Sequence, residues 1–365
     1  MSSPELTARS LAAVIIEASV FLVMNVVSIT GNALVFLAVY RNQKLRSTIN
    51  LYITALAASD LLCATVEMPS AAAVLITGRW NFGVPVCQLQ GFLDVFVTYS
   101  TPATMGLLAL NRYIRIVKTN HYNGIFSPRK SKIWLSCVWL SLALYLLIAR
   151  VTNWSTFEFI PGYAVCSVDF SSSENRIVHY SFVLGLFFIL PFSIGLFSYF
   201  KIFLKIRQHK FDVAPSLQNS RNQAGRISMQ EINMSRALSY VAAGFLLCWI
   251  PMWGFTLWKR FSPDTASRIV ELSSTFFLFL SSTINPFIYA AKNRAFREEF
   301  RKLLCWWKKG STTSKAGSCA SGKRCRGGKT PESSTSWPES FLSLPGDCKE
   351  KDWRNPGNEV AEIFL

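Results

Sequence analysis

The sequence predicts an all-α membrane protein, a bundle of seven transmembrane helices followed by a short amphipathic helix. Three observations predict it. Half of the 365 residues are hydrophobic and only 16% are charged, where ordinary soluble domains carry about 25%. The apolar residues gather into seven runs, at Leu11–Tyr40, Ile49–Thr77, Val84–Val117, Ile133–Val151, Ile177–Ile206, Ala237–Trp258 and Ile269–Ala291. Each is long enough for a tilted helix through a hydrocarbon core ~30 Å thick. The basic residues, 38 Lys and Arg against 21 Asp and Glu, sit in alternate loops and in the tail, which fits membrane topology better than a nucleic-acid surface.

The first run is too long for a signal-peptide core and lacks a basic start, so it reads as a first span with signal-anchor behaviour rather than a cleaved leader. Basic residues then follow the first run (Arg41, Lys44, Arg46), the third (Arg115, Lys118, Arg129, Lys130, Lys132) and the fifth (Lys201 to Arg236). The alternate loops offset theirs with Glu158, Asp169, Glu174 and Asp264. The positive-inside rule therefore puts the N-terminus outside and the C-terminus in the cytoplasm, in a multi-pass plasma-membrane protein. Residues 1–10 are a short outer segment and 11–292 the bundle. Residues 293–305 suit an amphipathic helix on the inner leaflet, against membrane lipids, and 306–365 read as a disordered tail.

That topology sorts the 9 cysteines. Cys87 and Cys166 face the oxidising side and are the natural disulfide pair. Asn153-Trp154-Ser155 is a glycosylation sequon on that side. Cys305, at the end of the amphipathic segment, suits palmitoylation. The Ser and Thr clusters of the tail suit phosphorylation. No CxxC pair or His/Cys cluster suggests a metal centre. No nucleophile is set beside a base, so no enzyme is expected. No internal repeat supports a transporter built from paired halves, the rival class.

Polar residues inside spans are costly, and each one is a functional hypothesis. Asp60 lies mid-span in the second helix, with Asn32, Thr101, Ser282 and Asn285 at comparable depth in others. They suggest either a small hydrated site for sodium or a water-filled network without an ion. Glu67 lies seven positions beyond Asp60, on the same face of a regular helix and nearer the outside. Asp94 stands in the outer part of the third helix. Two acids facing an outward cavity favour a cationic ligand; the plain alternative is that Arg150 or Lys259 pairs with one of them. At the inner end, Arg112 and Glu231 form a charge pair between the third and sixth helices, a two-state element. Pro191, Pro251 and Pro286 kink the fifth, sixth and seventh helices.

Taken together, these residues resemble the rhodopsin-like G protein-coupled receptors from Leu11 to Cys305. The marks are Gly31-Asn32, Leu56-Ala57-Ala58-Ser59-Asp60, Cys87, Asn111-Arg112-Tyr113, Trp139, Pro191 with Tyr199, Cys248-Trp249-Ile250-Pro251, and Asn285-Pro286-Phe287-Ile288-Tyr289. The resemblance implies an outside ligand held by Asp94, Glu67, Trp249, Met252, Trp253 and Thr275, and a relay through Trp249 and Phe245. It also implies release of Arg112 from Glu231, support from Tyr199 and Tyr289, and a heterotrimeric G protein as partner. Phe279 stands where opsins carry the retinal lysine, so no retinal and no other cofactor is expected beyond sodium. Asp94 matches the acid of amine receptors, whereas Asn111 matches melatonin receptors. A small amine-like ligand leads, with a peptide or a neutral melatonin-like indole as alternatives. Pro102, inside the third helix, and Asn111 both predict a weakened resting state.

Overall fold

A computed structural model of the chain describes residues 4–213, 229–262 and 267–315. Eight principal helices occur in order: α1 Leu11–Arg41, α2 Thr48–Thr77, α3 Gly83–Val117, α4 Pro128–Val151, α5 Ser173–Gln208, α6 Met229–Phe261, α7 Arg268–Lys292 and α8 Arg294–Lys315. Between α4 and α5 lies a hairpin of two antiparallel strands, β1 Ser155–Ile160 and β2 Val165–Phe170. Met1–Phe300 is one compact unit, and the chain from Arg301 onward forms a second.

Local chemistry sets the helix ends. Ser10 caps α1 by accepting from the Ala13 N–H at 3.3 Å, and Ser127 caps α4 in the same way, with Pro128 in the first turn. The chain leaves α2 through Gly78 at φ 69°, a left-handed position suited to glycine. Asn153 takes the same conformation just past α4, at φ 55°, and is exposed.

Among the described residues, six helices are long and apolar enough to cross a membrane. The seventh, α7, has the length at 25 residues but is more polar. Its Ser274, Thr275, Ser281, Ser282 and Thr283 are all buried. They point inward, where polar groups can be satisfied away from lipid. Large apolar residues such as Leu140, Leu247, Ile250 and Phe200 are exposed on the outside of the bundle, as a lipid-facing surface requires.

The centre of the bundle is α3. It packs against α2, α4 and α5 and carries both hairpin strands at one end. The Cys87–Cys166 disulfide fastens β2 to that end. The Gln90 carboxamide accepts from the Cys166 N–H at 2.8 Å, and Gln88 donates to the Phe157 carbonyl at 2.6 Å. Helix α3 runs unbroken through Pro102. Helix α6 lies chiefly along α7.

Two features depart from the periodicity of the sequence. Cys63–Glu67 in α2 and Tyr180–Ile189 in α5 are wound as π-helix. A π turn inserts an extra residue and rotates the rest of the helix about its axis. The seven-residue spacing from Asp60 to Glu67 therefore no longer puts both acids on one face. Helix α8 also runs to Lys315, ten positions past the boundary at Cys305 that the sequence suggested, because no helix breaker stands at Cys305. Of the tail clusters, Ser311–Ser314 falls within α8, whereas Ser333–Ser336 and Cys319, Cys325 and Cys348 lie outside the described residues, as does Asp264.

Close approach fixes two helix contacts. A Cβ on Gly31 would fall 2.7 Å from Pro286, and one on Gly106 would fall 2.6 Å from Pro191. At Gly195 nothing lies within 4 Å. Overpacking typically costs ~1–3 kcal/mol, so Gly106→Leu should lower the melting temperature of purified protein by several degrees. Gly195→Leu should leave it unchanged or slightly raise it. Equal melting temperatures for the two variants would show that α3 and α5 do not meet as described.

Candidate functional site

Three groups of buried polar residues lie along the bundle axis. At the hairpin end is a cavity of about 60 Å³ between α3, α5, α6, α7 and the hairpin. Asp94, Met252, Trp253 and Thr275 line it, as the sequence suggested. Glu67 and Trp249 do not. Glu67 is fully buried outside the cavity lining, with the Cys63 thiol 3.6 Å from Oε2. Trp249 stacks between Phe245 and Phe188, with ring centroids at 4.7 and 6.0 Å. A ring flip at Trp249 would therefore move Phe245 with it.

The rest of the lining is not evident from the sequence. Tyr99, Tyr180 and Tyr163 make aromatic walls, and Arg260 reaches in from the end of α6. His179 is buried between the hydroxyls of Tyr145, at 2.9 Å, and Tyr99, at 3.4 Å. Burial pushes the Tyr163 phenol up, so it stays neutral at physiological pH. Arg260 lies seven positions past Trp253, on the same helix face, and that spacing is the signal by which the sequence could have pointed to it.

The hairpin closes this cavity. The Ser167 hydroxyl donates to Asp94 Oδ2 at 2.5 Å. Arg260 Nη2 donates to the Val168 carbonyl at 2.8 Å, and Thr275 donates to the Tyr163 carbonyl at 2.9 Å. The basic partners considered for Asp94 go elsewhere. Arg150 donates to Gln88 at 3.0 Å, and Lys259 pairs with Glu271 at 2.6 Å.

The second group is mid-bundle. Asn285 Nδ2 donates to Asp60 Oδ2 at 3.0 Å, and Asn32 Nδ2 donates to the Ser282 carbonyl at 3.0 Å. Asn32 Oδ1, Ser59 Oγ and Thr101 Oγ1 are buried near these groups and lack a hydrogen-bond partner among the described residues. Such oxygens around one carboxylate form a donor set for water or a hard cation.

The third group closes the opposite end. Arg112 Nη1 meets Glu231 Oε2 at 2.9 Å, and Arg115 Nε meets Glu231 Oε1 at 3.1 Å. One carboxylate on α6 thus holds two arginines of α3, of which the sequence pointed only to Arg112. Asn111 lies beside Arg112 at 3.5 Å and donates to the Tyr122 hydroxyl at 3.3 Å. The Tyr113 ring packs on Phe197 at 5.5 Å, and Tyr289 on Phe296 at 5.7 Å. The hydroxyls of Tyr199 and Tyr289 are buried without a partner among the described residues. Each oxygen is available to accept, and an arginine side chain, a donor only, requires acceptors.

The family model described as "7 transmembrane receptor (rhodopsin family)" matches residues 31–289. Melatonin receptor type 1A of Ovis aries is 29% identical over 79% of this chain and 76% of its own length. A high-affinity lysophosphatidic acid receptor of Xenopus laevis is 29% identical over 77% of this chain and 80% of its own. Octopamine receptor beta-1R of Drosophila melanogaster is 30% identical over 76% of this chain and 59% of its own.

The shared carboxylate of Glu231 generates a prediction. Part-exposed pairs contribute ~0–1 kcal/mol each, so Glu231→Gln removes two such terms and should shift the α3–α6 equilibrium up to roughly thirtyfold. Spin labels at Thr119 and Asn233, in a background without exposed thiols, should report longer distances in the variant. An unchanged distance distribution would mean that the pair does not hold these ends together.

Proposed function

The chain belongs to the rhodopsin family of seven-transmembrane receptors, and on that premise we propose that it binds a small cationic ligand from outside the cell and activates a heterotrimeric G protein. One observation carries the ligand class. Asp94 is buried in an aromatic-walled cavity and is met by a neutral hydroxyl of Ser167, while the nearby Arg150 and Lys259 are engaged elsewhere. A buried carboxylate whose nearest partner is a neutral hydroxyl attracts an ammonium strongly, because little solvent screens it. Aromatic faces beside it add cation–π attraction. The relatives fit an amine in part: octopamine is an amine, whereas melatonin and lysophosphatidic acid are not cations.

In this reading the hairpin end faces outside and the Arg112 end faces the cytoplasm, as the basic loops demand. Ligand contact displaces Ser167 from Asp94 and repacks Met252 and Trp253 on α6. Trp249 and Phe245 follow, and the α6 end carrying Glu231 leaves Arg112 and Arg115. Tyr199 and Tyr289 then offer their unpartnered hydroxyls to the freed Arg112. The opened cleft receives the G protein. Phosphorylation of the tail would bring kinases and arrestin, and palmitoylation of Cys305 and glycosylation of Asn153 remain parts of the same reading.

Asp60, Ser59, Thr101, Asn32, Ser282 and Asn285 would hold a sodium ion, which supplies a positive charge beside Asp60 and favours the resting arrangement. Asp60→Asn should therefore make agonist potency insensitive to replacement of sodium by a bulky organic cation, while the wild-type receptor gains potency when sodium is removed. Equal sodium dependence in both would remove the ion from this site.

The test of the ligand class is a cAMP and calcium readout in cells bearing the receptor, first unstimulated and then with amines, indoles and peptides. Loss of a buried charge partner costs ~3–5 kcal/mol, so Asp94→Asn should raise the EC50 of an active amine by roughly a hundredfold or more at equal surface expression. An active ligand indifferent to that substitution would point to a neutral indole or a peptide.

A further inference from the structure

The cavity at the hairpin end holds two buried charges of opposite sign. Asp94, from α3, is 8% exposed. The Arg260 side chain, from α6, is 11% exposed, lies over the Tyr163 ring at 5.7 Å, and has an Nε buried without a partner among the described residues. They do not pair with each other. Consecutive residues of β2 hold them apart, the Ser167 hydroxyl on Asp94 and the Val168 carbonyl on Arg260. Arg260 also faces Asp169, but at 3.7 Å, and that carboxylate is 51% exposed, so solvent weakens it. The other charges of this rim, Lys259 and Glu271, neutralise each other at 2.6 Å.

A buried charge met by neutral groups is under-compensated. Here one strand supplies a hydroxyl to the acid and a carbonyl to the guanidinium, the dipolar equivalents of a cation and an anion. We infer that the ligand of this receptor is a small zwitterion, an ammonium for Asp94 and a carboxylate for Arg260, on an aromatic body. The inference rests on the cation-binding role of Asp94 proposed above and adds the second charge.

The geometry sets the size. Adjacent Cα atoms are ~3.8 Å apart, and each polar atom reaches roughly 2.4 Å from its own Cα, so Asp94 and Arg260 lie within roughly 14 Å of each other. Subtracting a hydrogen bond of ~2.8 Å at each end leaves up to about 8 Å between ammonium and carboxylate, which admits amino acids of the α to δ type. Tyr99, Tyr180 and Trp253 provide faces for an aromatic body. A plain amine would meet Asp94 but would feel Arg260 as a like charge across a poorly screened cavity. Arginine also matches a carboxylate with two parallel donors, which lysine cannot do.

The experiment compares three probes of one body, tyrosine, tyramine and 4-hydroxyphenylpropionate, together with longer ω-amino acids bearing a phenyl ring. Wild-type receptor and the Asp94→Asn, Arg260→Gln and Arg260→Lys variants are compared at matched surface expression. The expected result is a zwitterion roughly ten- to hundredfold more potent than its amine on the wild type. Arg260→Gln should erase that preference, lowering the potency of the zwitterion and raising that of the amine, which no longer meets a like charge. Arg260→Lys should restore part of it, and Asp94→Asn should abolish both responses. An amine as potent as every zwitterion, sensitive to Asp94→Asn but not to Arg260→Gln, would overturn the zwitterion and leave the cation reading standing. A response to the acid alone, indifferent to Asp94→Asn, would overturn both. Silence of the wild type to every zwitterion also overturns the inference.

Discussion

A charged side chain in hydrocarbon has no water to turn to, and the arrangement of this bundle stems from that constraint. Asp60, Glu67, Asp94 and Arg112 are each at most 8% exposed, and all lie on α2 or α3. Desolvating such groups costs several kcal/mol apiece; Glu67 meets Cys63 of its own helix, whereas the other three take partners from other elements. Asn285 comes from α7, Ser167 from the hairpin and Glu231 from α6. These few charges thus tie α2 and α3 to α6, α7 and the hairpin through specific polar contacts. An all-apolar interior would be cheaper; this one retains charges whose partners can be exchanged.

The partners differ in kind from one end to the other. At the Arg112 end the partner is a full opposite charge, shared between two arginines. At the hairpin end the closest partners of Asp94 and Arg260 are neutral dipoles. The first arrangement holds two helices by attraction that solvent partly screens. The second leaves electrostatic demand that an incoming molecule can satisfy. A signal passing between them has a physical route through Met252, Trp253, Trp249 and Phe245, all on α6 and all buried.

Much of this is legible in the sequence. Seven apolar runs correspond to seven helices, and topology alone pairs Cys87 with Cys166, which the structure bonds. The chemistry of Asp60, Asp94, Arg112 and Glu231 is visible because ionisable residues stand out against apolar surroundings. The illegible parts have specific causes. The π turn at Cys63–Glu67 has no local composition that marks it, so the spacing of Asp60 and Glu67 reads falsely as one face. The reach of the hairpin into the cavity depends on the disulfide and on Gln88 and Gln90 fastening it from α3, long-range contacts that no periodicity reports. Arg260 sits on a readable face but resembles any other rim charge until its burial is known. Arg115 counts as a topological charge in the sequence, and its bond to Glu231 becomes visible only with α6 in place.

The hairpin makes Ser167 a tethered competitor. Cys166, its neighbour in the chain, is covalently fixed to α3, so the hydroxyl is presented to Asp94 at an effective concentration far above that of any free molecule, on the order of millimolar or more. A ligand that binds Asp94, as proposed, must win it from a group that cannot diffuse away and returns as soon as the ligand leaves. Entry then requires the Ser167 contact to break, which slows binding relative to an open site. Once the strand closes over an occupant, the same covalent tether that slowed entry also slows escape. Occupancy of such a site records the recent past of the surroundings and averages over brief fluctuations in ligand supply.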